Sequence, residues 1–203
     1  MWIRLLAAAL VGYLLGSIPF ALVIGKLFYK TDIRTAGSKN LGGGNAGRVL
    51  GAKAGVAVMT LDILKVAFAI FITSGFQYRE SAMITAGLAA AIGHCYPVFA
   101  GFKGGKAVAT MYGFLFGMTL CAPCSLWIFL VPLIAFMIVL YLSKIVSLAS
   151  MISAIVSTAF LYFVIGSTPM AIASAMFTAL IIVRHRKNIV KMIRHEENRI
   201  SWM

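Results

Sequence analysis

Residues 107–142 read AVATMYGFLFGMTLCAPCSLWIFLVPLIAFMIVLYL, 36 consecutive positions without a charged side chain. A helix crosses the roughly 30 Å hydrocarbon core of a bilayer with about 20 apolar residues. The stretch is therefore too long for one crossing and long enough for two. Cys121-Ala122-Pro123-Cys124-Ser125 interrupts it near the middle, which predicts two helices joined by a hairpin. Residues 145–183 repeat the pattern: they carry no charge and break at Gly166-Ser167-Thr168-Pro169. Working outward, 5–25, 54–76 and 82–102 each supply one more apolar span. The first follows Arg4 and resembles a signal peptide, but its apolar run continues to Ile24 without a cleavage context and reads as an uncleaved span. The total is seven. The expected architecture is an all-α integral membrane protein of seven transmembrane helices. It forms a single membrane domain over residues 1–203, with residues 184–203 as a cytoplasmic amphipathic tail.

Composition agrees. The 203 residues are 62% hydrophobic, with a mean hydropathy of +0.98, where soluble domains sit near half apolar. Charge is scarce but one-sided: 18 Lys and Arg against 5 Asp and Glu, a net charge of +13. Such an excess suits nucleic acid, anionic lipid or an anionic substrate. Nucleic acid is excluded as a partner, because the apolar runs leave no soluble basic region to hold a duplex. Three cysteines do not make a disulfide framework. Cys121 and Cys124 have CxxC spacing but neither a helix N-terminus nor further ligands beside them, and read as small apolar fillers.

The seven-span reading makes a prediction about charge. Loops after spans one, three, five and seven must share one side. Those loops hold Lys26, Lys30, Arg34, Lys39, Arg48 and Lys53, then Lys103 and Lys106, then Lys144, then Arg184, Arg186, Lys187, Lys191, Arg194 and Arg199: fifteen of the 18 basic residues. Only Arg4 and Arg79 fall opposite. The positive-inside rule therefore places the basic loops and the C-terminus in the cytoplasm and the N-terminus outside. The tail interleaves its charges with Ile189, Met192, Ile193 and Trp202, the pattern of a helix lying on anionic lipid.

The chemistry-bearing residues gather in those loops. The first reads Gly37-Ser38-Lys39-Asn40-Leu41-Gly42-Gly43-Gly44-Asn45-Ala46-Gly47-Arg48. Glycines tolerate the positive-φ turns that let several backbone N–H groups converge on one anion. Ser38, Asn40 and Asn45 add short polar groups, and Arg48 a planar fork matched to phosphate. A flexible linker is the plainer alternative, but it would not need two Asn and an Arg among its glycines. Gly42-x-Gly44-x-x-Gly47 matches the dinucleotide fingerprint only in letters, since a membrane helix rather than a strand precedes it. In the next loop Lys103-Gly104-Gly105-Lys106 stands just before an uncharged helix, where the helix N-terminus and the ammonium groups favour an anion. Gly105-Lys106-Ala107 is not a Walker sequence. Ser147 opens a further helix. His185 and Asn188 are i,i+3 and share a helix face, and Glu197 follows in the tail. Asp62 and Lys65, also i,i+3, lie inside an apolar run, where ionisable groups are paired or functional. No nucleophile elbow, Cys/His constellation or metal cluster is present, and no metal or cofactor is required.

Taken together, Ser38-x-Asn40-x-Gly42-x-x-Asn45-x-x-Arg48, the block from Gly93 to Thr110, Ser147-Leu148-Ala149-Ser150, and Arg184-His185-x-x-Asn188-Ile189 with Glu197 resemble the bacterial acyl-phosphate:glycerol-3-phosphate acyltransferase family (the PlsY family). Gly16-Ser17-Ile18-Pro19-Phe20 and Asp62-x-x-Lys65 fit it too. The resemblance implies a seven-span enzyme of the bacterial cell membrane with a cytoplasmic site. It would move a fatty acyl group from acyl phosphate to the 1-position of glycerol 3-phosphate, giving lysophosphatidic acid and phosphate. It implies that Ser38, Arg48, Lys106, His185 and Asn188 hold the glycerol phosphate, that the loop from Asn40 through Gly42, Gly43 and Gly44 to Asn45, with Ser147, holds the acyl-phosphate head, and that Glu197 is the tail-motif glutamate. Lys103, Gly104 and Gly105 belong to the same substrate-binding set. Three positions depart from the family pattern: Gly44, where Thr is usual, Gly43, where Ala is common, and His195, where Gly is usual. An acyl phosphate is already an activated anhydride, so no enzyme nucleophile is needed. The base for the glycerol hydroxyl is His185 or the substrate's own phosphate, and the resemblance favours the latter. On the residues alone, a transporter or channel for an anionic solute and a lipid-binding scaffold use the same basic loops. Oligomeric state leaves no mark on the sequence.

Overall fold

The computed structural model describes residues 1–77, 79–122 and 124–200. Pro123 of the first expected break and Trp202 of the tail lie outside these. The chain divides into two compact units, residues 1–123 and 124–203. Among the described residues every regular element is helical.

The first unit holds α1 (Trp2–Gly16), α2 (Phe20–Tyr29), α3 (Gly43–Leu50), α4 (Ala52–Thr73), α5 (Arg79–Cys95) and α6 (Val108–Cys121). The expected first span is thus two helices. Pro19 brings no N–H and pushes Ile18 out of the helical region, so the chain breaks there. The helices meet through small residues. A methyl on Gly12 or Gly16 of α1 would run into the backbone of Ala86 or Ala90 of α5. On Gly55 of α4 it would lie 2.7 Å from Gly47 Cα of α3, and on Gly117 of α6 it would lie 3.0 Å from Ala67 Cα of α4. In lipid no hydrophobic force pairs helices, so close backbone approach supplies the dispersion contacts that do.

The second unit holds α7 (Trp127–Ser143), α8 (Val146–Phe163), α9 (Thr168–Arg184) and α10 (Arg186–Ile193). Here hydroxyls join the helices. Thr158 Oγ1 lies 3.1 Å from Ser174 Oγ and 3.0 Å from Thr178 Oγ1. Ser174 Oγ donates to Ser157 Oγ, and Thr178 Oγ1 donates to the Ala154 carbonyl. Ser153 Oγ donates at 2.8 Å to the carbonyl of Pro132 in the adjacent α7. Such bonds contribute on average about 0.6 kcal/mol each in a membrane.

Large apolar side chains such as Leu6, Phe71, Leu142 and Phe163 face outward, the reverse of a soluble protein and the pattern of a lipid-facing surface. Four helices, α1–α2 taken through its break among them, are long and apolar enough to cross a membrane, and α9 with α10 makes a fifth bent by 60°. The shorter α6 has 14 residues, rising about 21 Å. The protein is a multi-pass membrane protein.

Candidate phosphate-binding site

In the first unit the glycine loop is shaped from beneath by Asn45. This side chain is buried. Its Oδ1 accepts the Ser38 amide at 2.7 Å, and its Nδ2 donates to the carbonyls of Ile33 (3.3 Å) and Ala36 (3.2 Å). Asn45 therefore clamps the loop to itself. The backbone reversal is made at Gly37 and Lys39, both with φ near +60°; the three consecutive glycines take no part in it. Gly42 is an extended N-cap without a side-chain acceptor, and Gly43 and Gly44 form the first turn of α3. The leading amides of a helix have no intrahelical acceptor, and the dipole favours an anion there. Gly44 and Arg48 are i,i+4 on one exposed face of α3, while Asn45 and Ala46 face inward. Ser38 is exposed and Asn40 half-buried.

The second glycine pair is also occupied by structure. The Gly104 amide donates to Cys95 O at 3.1 Å and the Gly105 amide to His94 O at 2.9 Å. These bonds sew the loop to the last turn of α5. Both glycines are buried, Lys103 is exposed and Lys106 half-buried. Ala107, with φ +64°, caps α6, so Lys106 stands at the entrance of that helix. Below the loop lies a charged cluster, only part of which is recognisable in the sequence. Lys65 Nζ lies 2.6 Å from Asp62 Oδ1 and 3.1 Å from His94 Nδ1. Asp62 and Lys65 stand out as an i,i+3 pair. His94 is 29 positions further on, and no local pattern ties it to them.

In the second unit three of the expected residues come together. Glu197 Oε1 accepts from Asn188 Nδ2 at 2.6 Å and from Ser147 Oγ at 2.8 Å. One carboxylate thus ties the first turn of α8 to α10. His185 is buried where α9 turns into α10, with Nδ1 2.8 Å from Ile181 O. A carbonyl can only accept, so Nδ1 carries the proton in this bond. The Asn188 amide donates to His185 O at 2.8 Å, which fixes the two residues across the start of α10. Cationic forks and lysines, helix-leading amides and a carboxylate-braced amide are groups suited to binding phosphate esters.

Residues 6–195 match the family described as glycerol-3-phosphate acyltransferase. A glycerol-3-phosphate acyltransferase of Listeria welshimeri is 43% identical over 205 residues, covering 100% of each chain. The crystal structure of PlsY, an integral membrane glycerol 3-phosphate acyltransferase in its glycerol 3-phosphate form, superposes with a TM-score of 0.88 at 37% identity, covering 97% of this chain and 96% of that one. Its lysophosphatidic acid form gives 0.85 at 36%, covering 97% and 95%. With its fold and nearly its whole length in common with these proteins, the chain belongs to the glycerol-3-phosphate acyltransferase family.

Proposed function

We propose that this protein transfers a fatty acyl group from acyl phosphate to the 1-hydroxyl of glycerol 3-phosphate, releasing lysophosphatidic acid and inorganic phosphate as a step in phospholipid synthesis. One observation carries this reading: a relative matching 97% of the chain is known in a glycerol 3-phosphate form and in a lysophosphatidic acid form, the substrate and product of one acyl transfer. The chemistry of the loops supports it, since they offer phosphate ligands and no nucleophile.

In this reading Arg48, Ser38, Lys106, His185 and Asn188 hold the glycerol phosphate. Asn40, the Gly42–Gly44 helix start and Ser147 take the acyl-phosphate head, with Lys103 beside it. Asn45 and Glu197 shape the two arrangements from behind. The 1-oxygen attacks the acyl carbonyl, the carbonyl–phosphate oxygen bond breaks, and phosphate leaves with the hydroxyl proton or passes it through His185. Placing both reactants supplies about 7–11 kcal/mol of the barrier reduction, and a donor aimed at the developing oxyanion adds about 3 kcal/mol. Residues 1–203 are read as one membrane domain. It crosses the bacterial inner membrane seven times, with the N-terminus outside and the basic loops and tail 184–203 in the cytoplasm. The short helices α6 and α7 supply the two remaining passes. Purified Arg48→Ala and Lys106→Ala proteins, folded in detergent, are each expected to form lysophosphatidic acid about 100-fold more slowly. Wild-type rates in both would end this assignment of the site.

A further inference from the structure

Asp62, Lys65 and His94 form a three-membered cluster inside the first unit, with side chains only 1%, 2% and 5% exposed. Lys65 Nζ also donates to Ile18 O at 2.9 Å. Asp62 Oδ2 has no hydrogen-bond partner among the described residues. Charges at such depth are costly, and a buried ion pair is often no better for stability than apolar residues of the same volume. What this cluster does beyond pairing is join backbone segments. Ile18 lies at the α1–α2 break, where its carbonyl also accepts the Phe20 amide at 3.2 Å. His94 is in the last turn of α5. Gly105 rests directly on His94: its amide binds the His94 carbonyl, and a methyl at Gly105 would fall inside the His94 ring. The ammonium has only protons to give, so it holds the imidazole through the Nδ1 lone pair.

We infer that Asp62, Lys65 and His94 are positioning residues that set the height of the Gly104–Lys106 segment, and so the placement of Lys106 on the phosphate of glycerol 3-phosphate, against the fixed backbone at Ile18. The inference rests on Lys106 being a glycerol-phosphate ligand. Asp62 orients Lys65, Lys65 orients the His94 ring, and the ring is the floor under Gly105. Apolar substitutes would fill the space, but would take away the donor to Ile18 O and the ammonium's hold on the ring.

The test uses full-length protein in detergent, with KM for each substrate, kcat, the fraction of folded protein and thermal unfolding measured for every variant. His94→Ala and Lys65→Met are expected to raise KM for glycerol 3-phosphate at least tenfold and leave KM for acyl phosphate within about twofold. Gly105→Ala is expected to lose more than 100-fold in kcat/KM. The double variant Gly105→Ala/His94→Ala returns to the level of His94→Ala, because removing the ring makes room for the methyl. If Lys65→Met does not accumulate, Lys65→Arg replaces it and shows the same KM change, since a longer planar fork misplaces the donors. Rates that fall only with the amount of folded protein, at unchanged KM, would overturn the inference, as would a double variant at the product of the two single losses. Lys106→Ala separates the two readings. A wild-type KM there refutes the ligand role, whereas a raised KM there beside a wild-type KM in His94→Ala refutes only the positioning role.

Discussion

At Gly44 an added methyl would meet nothing within 4 Å, while at Gly104 it would press on the carbonyls of α5, 2.8 Å from Cys95 O, and on Pro97 Cδ at 2.5 Å. Both residues sit in glycine-rich basic loops and look alike in sequence. One loop leaves its outward glycine open beside Arg48. The other has its glycines pressed between α5 and the entrance to α6, with both amides already bonded. Glycine in the second loop is demanded by packing. At Gly44 it is a choice, and that position can tune substrate binding without disturbing the fold.

Breaking the closed loop should have the largest effect. Gly104→Ala is expected to destabilise the protein by about 3 kcal/mol, as overpacking against backbone that cannot yield, seen as a large fall in thermal unfolding temperature in detergent. The second unit braces its motif residues with a carboxylate instead of close glycines. Glu197→Ala removes the acceptor shared by Ser147 and Asn188 and is expected to cost about 2 kcal/mol, with a matching loss of acyl transfer. His195, at φ +58°, stands where the family usually has glycine. His195→Gly relieves a left-handed conformation and should stabilise by about 1 kcal/mol, measurable by the same melt; a decrease would contradict it.

The open position gives a smaller change in stability. Gly44→Thr fits the space and should move the melting temperature little, while its hydroxyl lowers KM for acyl phosphate severalfold. An unchanged KM would show that this face does not bind the donor. Least of all is expected at the loop's outer edge. There the Arg34 side chain, through its hydrogen bonds, holds the Asp32 carboxyl down to about 2 from 3.8. A depressed carboxylate contributes above its unfolded value and loses that contribution only as pH falls through about 2. The Asp32 cap should therefore persist at pH 4 in thermal melts, and Asp32→Asn should behave as an ordinary surface substitution.

Much of this architecture is legible in the order of the amino acids. The break between residues 121 and 125 and the one between 166 and 169 separate helices, because uncharged length and Gly/Pro punctuation act locally. The motif positions Ser38, Arg48, Lys106, Ser147, His185 and Asn188 are marked by the family resemblance, and the structure brings Ser147 and Asn188 onto one carboxylate. Less is legible where one residue meets another far along the chain. Asn45 reads as a ligand and is the clamp under its own loop. Of the loop's glycines Gly37 takes a positive φ, while Gly42, Gly43 and Gly44 are a helix start, with Gly43 packed on Gly55 and Met59. Gly12 and Gly16 pass for ordinary members of an apolar span, yet the backbone of Ala86 and Ala90 lies directly against them.

Hydropathy, charge asymmetry and loop motifs, all properties of contiguous residues, determined on their own that this is a membrane protein of apolar helices with phosphate-type basic loops. The tertiary structure alone decided that Lys65 donates to the Ile18 carbonyl at the α1–α2 break. It also decided that His94 completes the buried cluster beneath Gly105, and which glycines are closed and which is open. The cluster depends on atoms 29 and 47 residues apart in the chain approaching within hydrogen-bonding distance. That approach is set by the packing of helices against one another, which no local pattern encodes.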